Sequence, residues 1–203
     1  FLSEIILSKI NSHSKNLKSF FVNKINLNFL AKSYLDKISI IENNKKVMLD
    51  KSLLNFLWIG FIKILFPKAK IIHVKRNAKD TCLSCYKNLF DNNLNFTYKK
   101  SDLTNYYNAY LDLMNFWEKI LGNSIYTINY EDIIKEPKKN ISDLLNFCSL
   151  NYDEKCLNFH QNKSPVKTMS ASQVTKKIYS TSINSYKKYE FYIPDLFKNL
   201  PDN

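Results

Sequence analysis

Apolar positions along the chain recur with two periods. Leu2, Ile5, Ile6 and Ile10 fall on one face of a 3.6-residue period, and Leu27, Leu30, Leu35 and Ile38 continue a second such stretch, so the start reads as helical. Val47, Met48 and Leu49 form a short apolar run that ends at Asp50 and Lys51, which suits a buried strand. Residues 53–66 read as a helix closed by Pro67. The run A-K-I-I-H-V at 69–74 predicts a second strand, running into Lys75 and Arg76. Residues 79–90 read as a helix, and 103–121 as a long amphipathic one with Tyr107, Tyr110, Leu111, Met114 and Trp117 near one face. A third strand is expected at 125–129, ending at Tyr130, Glu131 and Asp132, and a helix at 141–148 after Pro137. From Pro165 on the chain is polar and reads mostly as loop.

Strands that alternate with helices of this length predict an α/β fold with a parallel sheet covered on both faces. Ligands bind such sheets at the carboxyl ends of the strands. The three predicted ends carry Asp50-Lys51, Arg76 and Tyr130-Glu131, which are expected along one edge. With 203 residues, no internal repeat and no low-complexity linker, the chain reads as one domain. It begins with Phe1 rather than Met and is expected to start inside a longer protein.

Charge sharpens the picture. The net charge is +12, which favours anionic partners: nucleic acid, a membrane surface or a phosphorylated ligand. The lysines are scattered and no reading motif accompanies them, so nucleic acid is not the expected partner. Arg76 is the only arginine among 30 basic residues. A lone guanidinium in a lysine-rich chain suggests bidentate phosphate recognition, with a structural ion pair as the plain alternative. Gly60 and Gly122 are the only glycines, which excludes a Gly-rich dinucleotide loop or a Walker loop within the chain. Cys82 and Cys85 form a C-x-x-C pair without a second pair or a nearby His, so packing is preferred to zinc or redox chemistry, and no metal is expected. No apolar run reaches the ~18–20 residues of a membrane span.

The stretch I-I-H-V-K-R-N-A-K-D-T-C-L-S at 71–84 carries the strongest chemical signal. A strand delivers Arg76 to the sheet edge, a tight turn follows, and Ser84 arrives on the next helix. An anion there would meet a guanidinium fork, a hydroxyl and a helix N-terminus. Asp80 is expected to cap that helix. On the residues alone, Lys51 reads as a surface lysine, Ser84 as an ordinary helix serine and Tyr130 as a strand-end aromatic. Glu131 and Asp132 read as caps of the following turn, His73 as a packed strand residue, His160 as a helix-end residue, and the aromatic stripe at 107–117 as core.

Residues 71–84 resemble the 3′-phosphate-binding segment of sulfotransferases that use 3′-phosphoadenosine-5′-phosphosulfate (PAPS). Three further pieces match in order: residues 49–70, N-Y-E-D-I-I-K-E-P at 129–137, and V-K-T-M-S-A-S-Q-V at 166–174. The resemblance runs from Phe1 to about Tyr189. It is closest to tyrosylprotein-sulfotransferase-like enzymes and to bacterial sulfotransferases that carry tetratricopeptide repeats upstream. It implies a three-layer parallel sheet of the P-loop nucleotide hydrolase type, with PAPS as co-substrate and a hydroxyl acceptor on protein tyrosine, carbohydrate or a small molecule. Arg76 and Ser84 would hold the 3′-phosphate and Tyr130 would line the nucleotide pocket. Ser170, Gln173 and Val174 would lie in the loop that closes over the donor, with Lys176 beside them. Lys51 would stabilise charge on the sulfuryl group in flight, supported by Ser170. A cytoplasmic location is the expectation.

The chain departs from that pattern in places. The family's 5′-phosphosulfate loop and the Gly-Glu that supplies a general base normally precede the matched stretch, and neither is found here. The fragment by itself is therefore expected to be incomplete for catalysis, and a non-catalytic nucleotide-binding remnant stays open as the alternative. Ser185 stands where relatives place a basic residue against the nucleotide, with Lys187 as a candidate substitute. Ser52 replaces a more usual proline.

Overall fold

The structure, a computed structural model, describes residues 24–39, 47–90, 94–162 and 176–202. The chain divides into two compact units, Phe1–Ala69 and Lys70–Asn203. Among the described residues no helix is long and apolar enough to cross a membrane.

In the first unit, α1 (Lys24–Ser39) packs on α2 (Ile59–Leu65). Leu30 and Tyr34, one turn apart on α1, are buried against Phe61 and Leu65 of α2, with Trp58, Ile62 and Phe66 around them. The expected face on α1 is thus partly corrected: Leu30 and Ile38 face the core, while Leu35 is exposed and Tyr34 takes the inward position. The expected helix at 53–66 is shorter, a 3-10 turn at Asn55–Trp58 followed by α2. The expected strand at Val47–Leu49 does not form. These residues are exposed, with no ladder partner among the described residues to satisfy a strand's backbone groups. The helix expected at the very start lies outside the described residues.

The second unit is mixed α/β around a small parallel sheet. β1 (Ile71–Lys75) and β2 (Ile125–Asn129) pair in parallel with Ile71 opposite Ile125 and Lys75 opposite Asn129. Between them run α3 (Ala78–Lys87) and the 22-residue α4 (Lys100–Leu121). Gly122 ends α4 at φ +46, a left-handed conformation that a Cβ would strain, and the chain turns there into β2. After β2 come α5 (Tyr130–Lys135) and α6 (Pro137–Phe147), with Pro137 in the first turn of α6, where its missing N–H has no helical partner to lose.

The tail departs from the expected loop. Its described part holds a 3-10 turn at Ser185–Lys188 and a short helix α7 (Pro194–Phe197). Leu196, Phe197 and Leu200 are buried with Ala78, Cys82 and Leu83 of α3 and Leu103 and Tyr107 of α4. Each large apolar side chain buried this way contributes about 1.5–3 kcal/mol. The polar flanks of the tail hid three core residues. Cys82 and Cys85 are free thiols, and burial pushes Cys82 up to about 12 and raises Cys85 as well, so α3 keeps them protonated and packed. The stripe on α4 is core as expected: Tyr107 and Met114 are buried.

Candidate functional site

The register of the sheet builds the site. Because Lys75 lies opposite Asn129, the next residues, Arg76 and Tyr130, leave the sheet side by side at its carboxyl edge. The Arg76 guanidinium carbon sits 5.3 Å from the centre of the Tyr130 ring, within the range where a ring face attracts a cation. Arg76 is half-buried. Its Nη2 donates to the Ser182 carbonyl at 2.7 Å, and the Ser182 hydroxyl lies 2.8 Å from the Tyr130 hydroxyl. Tyr107 donates to the Arg76 carbonyl at 3.4 Å. The Arg76 Nε is buried and has no hydrogen-bond partner among the described residues. The cation therefore meets a carbonyl and a ring face, and one of its donors is left over.

The turn after β1 is fixed from both sides. Asn77 is the N-cap of α3, its side chain accepting from Asp80 N at 3.0 Å. Its own N–H donates to Glu131 Oε1 at 2.9 Å, tying the end of β1 to the start of α5. Asn129 donates to Asp132 Oδ2 at 2.8 Å. Of the two acids expected to cap the turn, Asp132 stays local and Glu131 reaches across to the neighbouring strand end.

A model of the sulfotransferase family matches residues 13–154. The chain belongs to the sulfotransferase family. An uncharacterized protein of Aquifex aeolicus (strain VF5) is 32% identical over 175 residues, covering 85% of this chain and 23% of that relative. The chain thus spans about a quarter of the length of the relative it matches. Lys51, Arg76, Ser84 and Tyr130 fall inside the family match, and Ser170, Gln173, Val174 and Lys176 fall after it.

Of these residues, the fold brings Arg76 and Tyr130 together. Ser84 is exposed on α3, and its hydroxyl makes no hydrogen bond among the described residues. The Arg76 charge still reaches the neighbouring turn of α3: it pulls the Cys85 thiol down against the stronger upward push of burial. Lys51 is exposed in the first unit, next to Asp50, which accepts from Tyr34 and, at 3.2 Å, from Asn55. Ser170, Gln173 and Val174 lie outside the described residues. Lys176 is exposed just after them.

Asp80 corrects the expectation made for it. Asn77 caps α3, and the Asp80 carboxylate is fully buried and bonded elsewhere. It accepts from Asn184 N at 2.7 Å, Ser185 Oγ at 2.8 Å and Tyr186 N at 2.9 Å. Ser185, where relatives place a basic residue, is thus held on Asp80, while Lys187 is exposed. Ser182 is the residue that sequence reasoning missed. It sits in a polar stretch, and its partners Arg76 and Tyr130 are 106 and 52 positions away, so no local pattern marks it.

Three residues before Arg76, His73 forms a different kind of cluster. Its Nδ1 lies 3.2 Å from Glu118 Oε1 and 3.3 Å from Thr127 Oγ1, its Nε2 accepts from Tyr110, and Thr127 donates to Glu118 at 2.6 Å. Burial holds the His73 pKa below its ordinary value, over the opposing pull of Glu118. A neutral ring with the proton on Nδ1 satisfies all of these contacts. The hydrogen bond from Thr127 holds the Glu118 carboxyl below its usual range. A separate cleft of about 440 Å³, lined by Tyr86, Tyr98, Lys99, Lys100 and Asp195 among others, contains none of the expected site residues. Among the described residues no cluster of His, Cys, Asp and Glu is placed to hold a metal.

Proposed function

We propose that this sulfotransferase domain uses PAPS as its sulfuryl donor and grips the donor's 3′-phosphate at Arg76. The observation that carries the reading is the parallel register that delivers the guanidinium and the Tyr130 ring together to the carboxyl edge of the sheet, inside the stretch that matches the family. The residues fit the group. A phosphate offers acceptors to a guanidinium that still has a buried donor without a partner, and no carboxylate neutralises it there among the described residues. The Tyr130–Ser182 hydroxyl pair adds polar contacts beside it, and this reading assigns the exposed Ser84 hydroxyl of α3 to the same phosphate.

In this reading the fold is the three-layer parallel sheet of the P-loop type, to which β1 and β2 contribute two strands. Ser170, Gln173 and Val174 belong to the loop that closes over the donor, with Lys176 at its end. Lys51 supplies positive charge to the sulfuryl oxygens. The 5′-phosphosulfate cradle and the general base are supplied from outside the described residues. The donor provides an activated sulfur: an acceptor hydroxyl, on a protein tyrosine or a carbohydrate, bonds to sulfur as the bond to the adenosine bisphosphate breaks in line. The protein's part is orientation and stabilisation of the negative charge that builds on the transferring oxygens.

The reading is tested by titrating adenosine 3′,5′-bisphosphate into the chain and into an Arg76→Ala variant by calorimetry. Loss of a charge-assisted fork should weaken binding about thirtyfold. Arg76→Lys should recover only part of that, because an ammonium is a point charge without the fork. Equal affinity in wild type and Arg76→Ala overturns the assignment.

A further inference from the structure

We infer that Asp80 is a positioning residue for the phosphate grip: it straps the 182–186 turn over Arg76, and so sets how strongly the site prefers a nucleotide with a 3′-phosphate. The inference rests on the nucleotide reading above and adds to it a residue that never touches the ligand.

A fully buried carboxylate is costly to keep unless its oxygens are hydrogen-bonded. Those of Asp80 are, and all three donors come from one turn: Asn184 N and Tyr186 N of the backbone and Ser185 Oγ between them. Asn184 is left-handed at φ 56, which folds the two N–H groups and the hydroxyl toward the same carboxylate. The turn lies more than a hundred residues from Asp80 in sequence, so these bonds fix its position directly. Two residues earlier the same turn supplies Ser182. The Ser182 carbonyl takes one guanidinium N–H and its hydroxyl meets Tyr130. Asp80 and Arg76 never meet in a hydrogen bond; they share the turn.

The consequence concerns orientation. A guanidinium is planar, and a donor committed at one Nη fixes the direction in which the others point. With Nη2 held by Ser182 and the plane resting on Tyr130, the remaining donors have one presentation. If the turn drifts, Arg76 keeps its charge and loses its aim. A charge without aim still attracts any phosphate. Discrimination of the 3′-phosphate requires the fork to meet it.

The test compares two nucleotides. Adenosine 3′,5′-bisphosphate and adenosine 5′-monophosphate are titrated into the 203-residue chain and into Asp80→Asn, Ser185→Ala and Ser185→Thr. The quantity read is the dissociation constant of the monophosphate divided by that of the bisphosphate. Asp80→Asn turns one acceptor oxygen into a donor facing N–H groups, and should reduce the ratio about tenfold. Ser185→Ala removes one of the three bonds and should reduce it about threefold, while Ser185→Thr keeps the hydroxyl and should restore it. If Asp80→Asn fails to fold, the alanine and threonine pair decides. A residue that only stabilised the fold would lower both affinities together and leave the ratio unchanged; that outcome overturns the inference alone. A wild-type chain that binds the two nucleotides equally overturns the nucleotide reading and this inference with it.

Discussion

His73 and Arg76 stand three residues apart on the same strand and its exit, and the fold treats them in opposite ways. The His73 region is closed on itself. A buried imidazole meets a phenol, a hydroxyl and a carboxylate, the last two at the solvent rim, and every proton has a named acceptor. The Arg76 region is open-ended. Its guanidinium is half-buried, held by one carbonyl and one ring face, and its Nε has no partner among the described residues. A buried polar group that is satisfied contributes to stability and specifies the core, while a donor left over at a strand's carboxyl end is available to a ligand. Polarity alone therefore does not mark a site; incomplete satisfaction at the right edge does.

The sharpest way to break this contrast is to disturb each region and ask which property changes. His73→Leu leaves Glu118, Thr127 and Tyr110 without their shared partner. It should lower the unfolding free energy by about 2–3 kcal/mol in urea titration, with little change in nucleotide preference. A large loss of preference together with intact stability would mean that the closed cluster belongs to the site. A smaller effect is expected at Tyr130. Replacement by Leu removes the ring face under the guanidinium and the hydroxyl that meets Ser182, and should weaken adenosine 3′,5′-bisphosphate about fivefold. An unchanged affinity would show that the ring takes no part in holding Arg76.

How much of this contrast was legible in the sequence depends on distance along the chain. The runs A-K-I-I-H-V at 69–74 and I-Y-T-I-N at 125–129 marked two strands by themselves, because short apolar stretches rich in β-branched residues between helical patterns have few other uses; β1 begins two residues later and ends one later than expected, at Ile71–Lys75. Arg76 and Tyr130 followed from them as strand ends. Val47–Leu49 has the same apolar character but is exposed and outside the described sheet; three residues carry too little pattern to specify a partner. The tail failed for the opposite reason. Leu196, Phe197 and Leu200 are separated by polar residues, and they are core only because α3 and α4 present an apolar face to them. Asp80 looked like a cap because Asp near a helix start usually is one, yet Asn77 was better placed by three residues. Its true partners, 104–106 positions away, leave no local trace.

The smallest expected effect concerns acid. His73 is held below its ordinary 6.5 by burial first, with Lys75 acting in the same direction and Glu118 opposing. Glu118 is held below its ordinary 4.5, first by the bond from Thr127. Tyr110, the other titratable group on the ring, stays protonated throughout, since burial raises it to about 12. For both His73 and Glu118 the unfolded chain takes up protons first as pH falls. The His73 contribution is whole above pH 6.5 and declines below it until the folded ring titrates; Glu118 adds a loss of the same sign below 4.5. Between pH 7 and pH 6 the decline attributable to His73 should be less than about 1 kcal/mol, because only part of one proton is taken up there. The measurement is the urea midpoint against pH for wild type and His73→Gln, a neutral side chain without this titration. The wild-type slope through this window should be the steeper one. Parallel slopes would mean that the folded imidazole titrates as it does in the unfolded chain, and that the closed cluster on β1 is as open to protons as the edge three residues away.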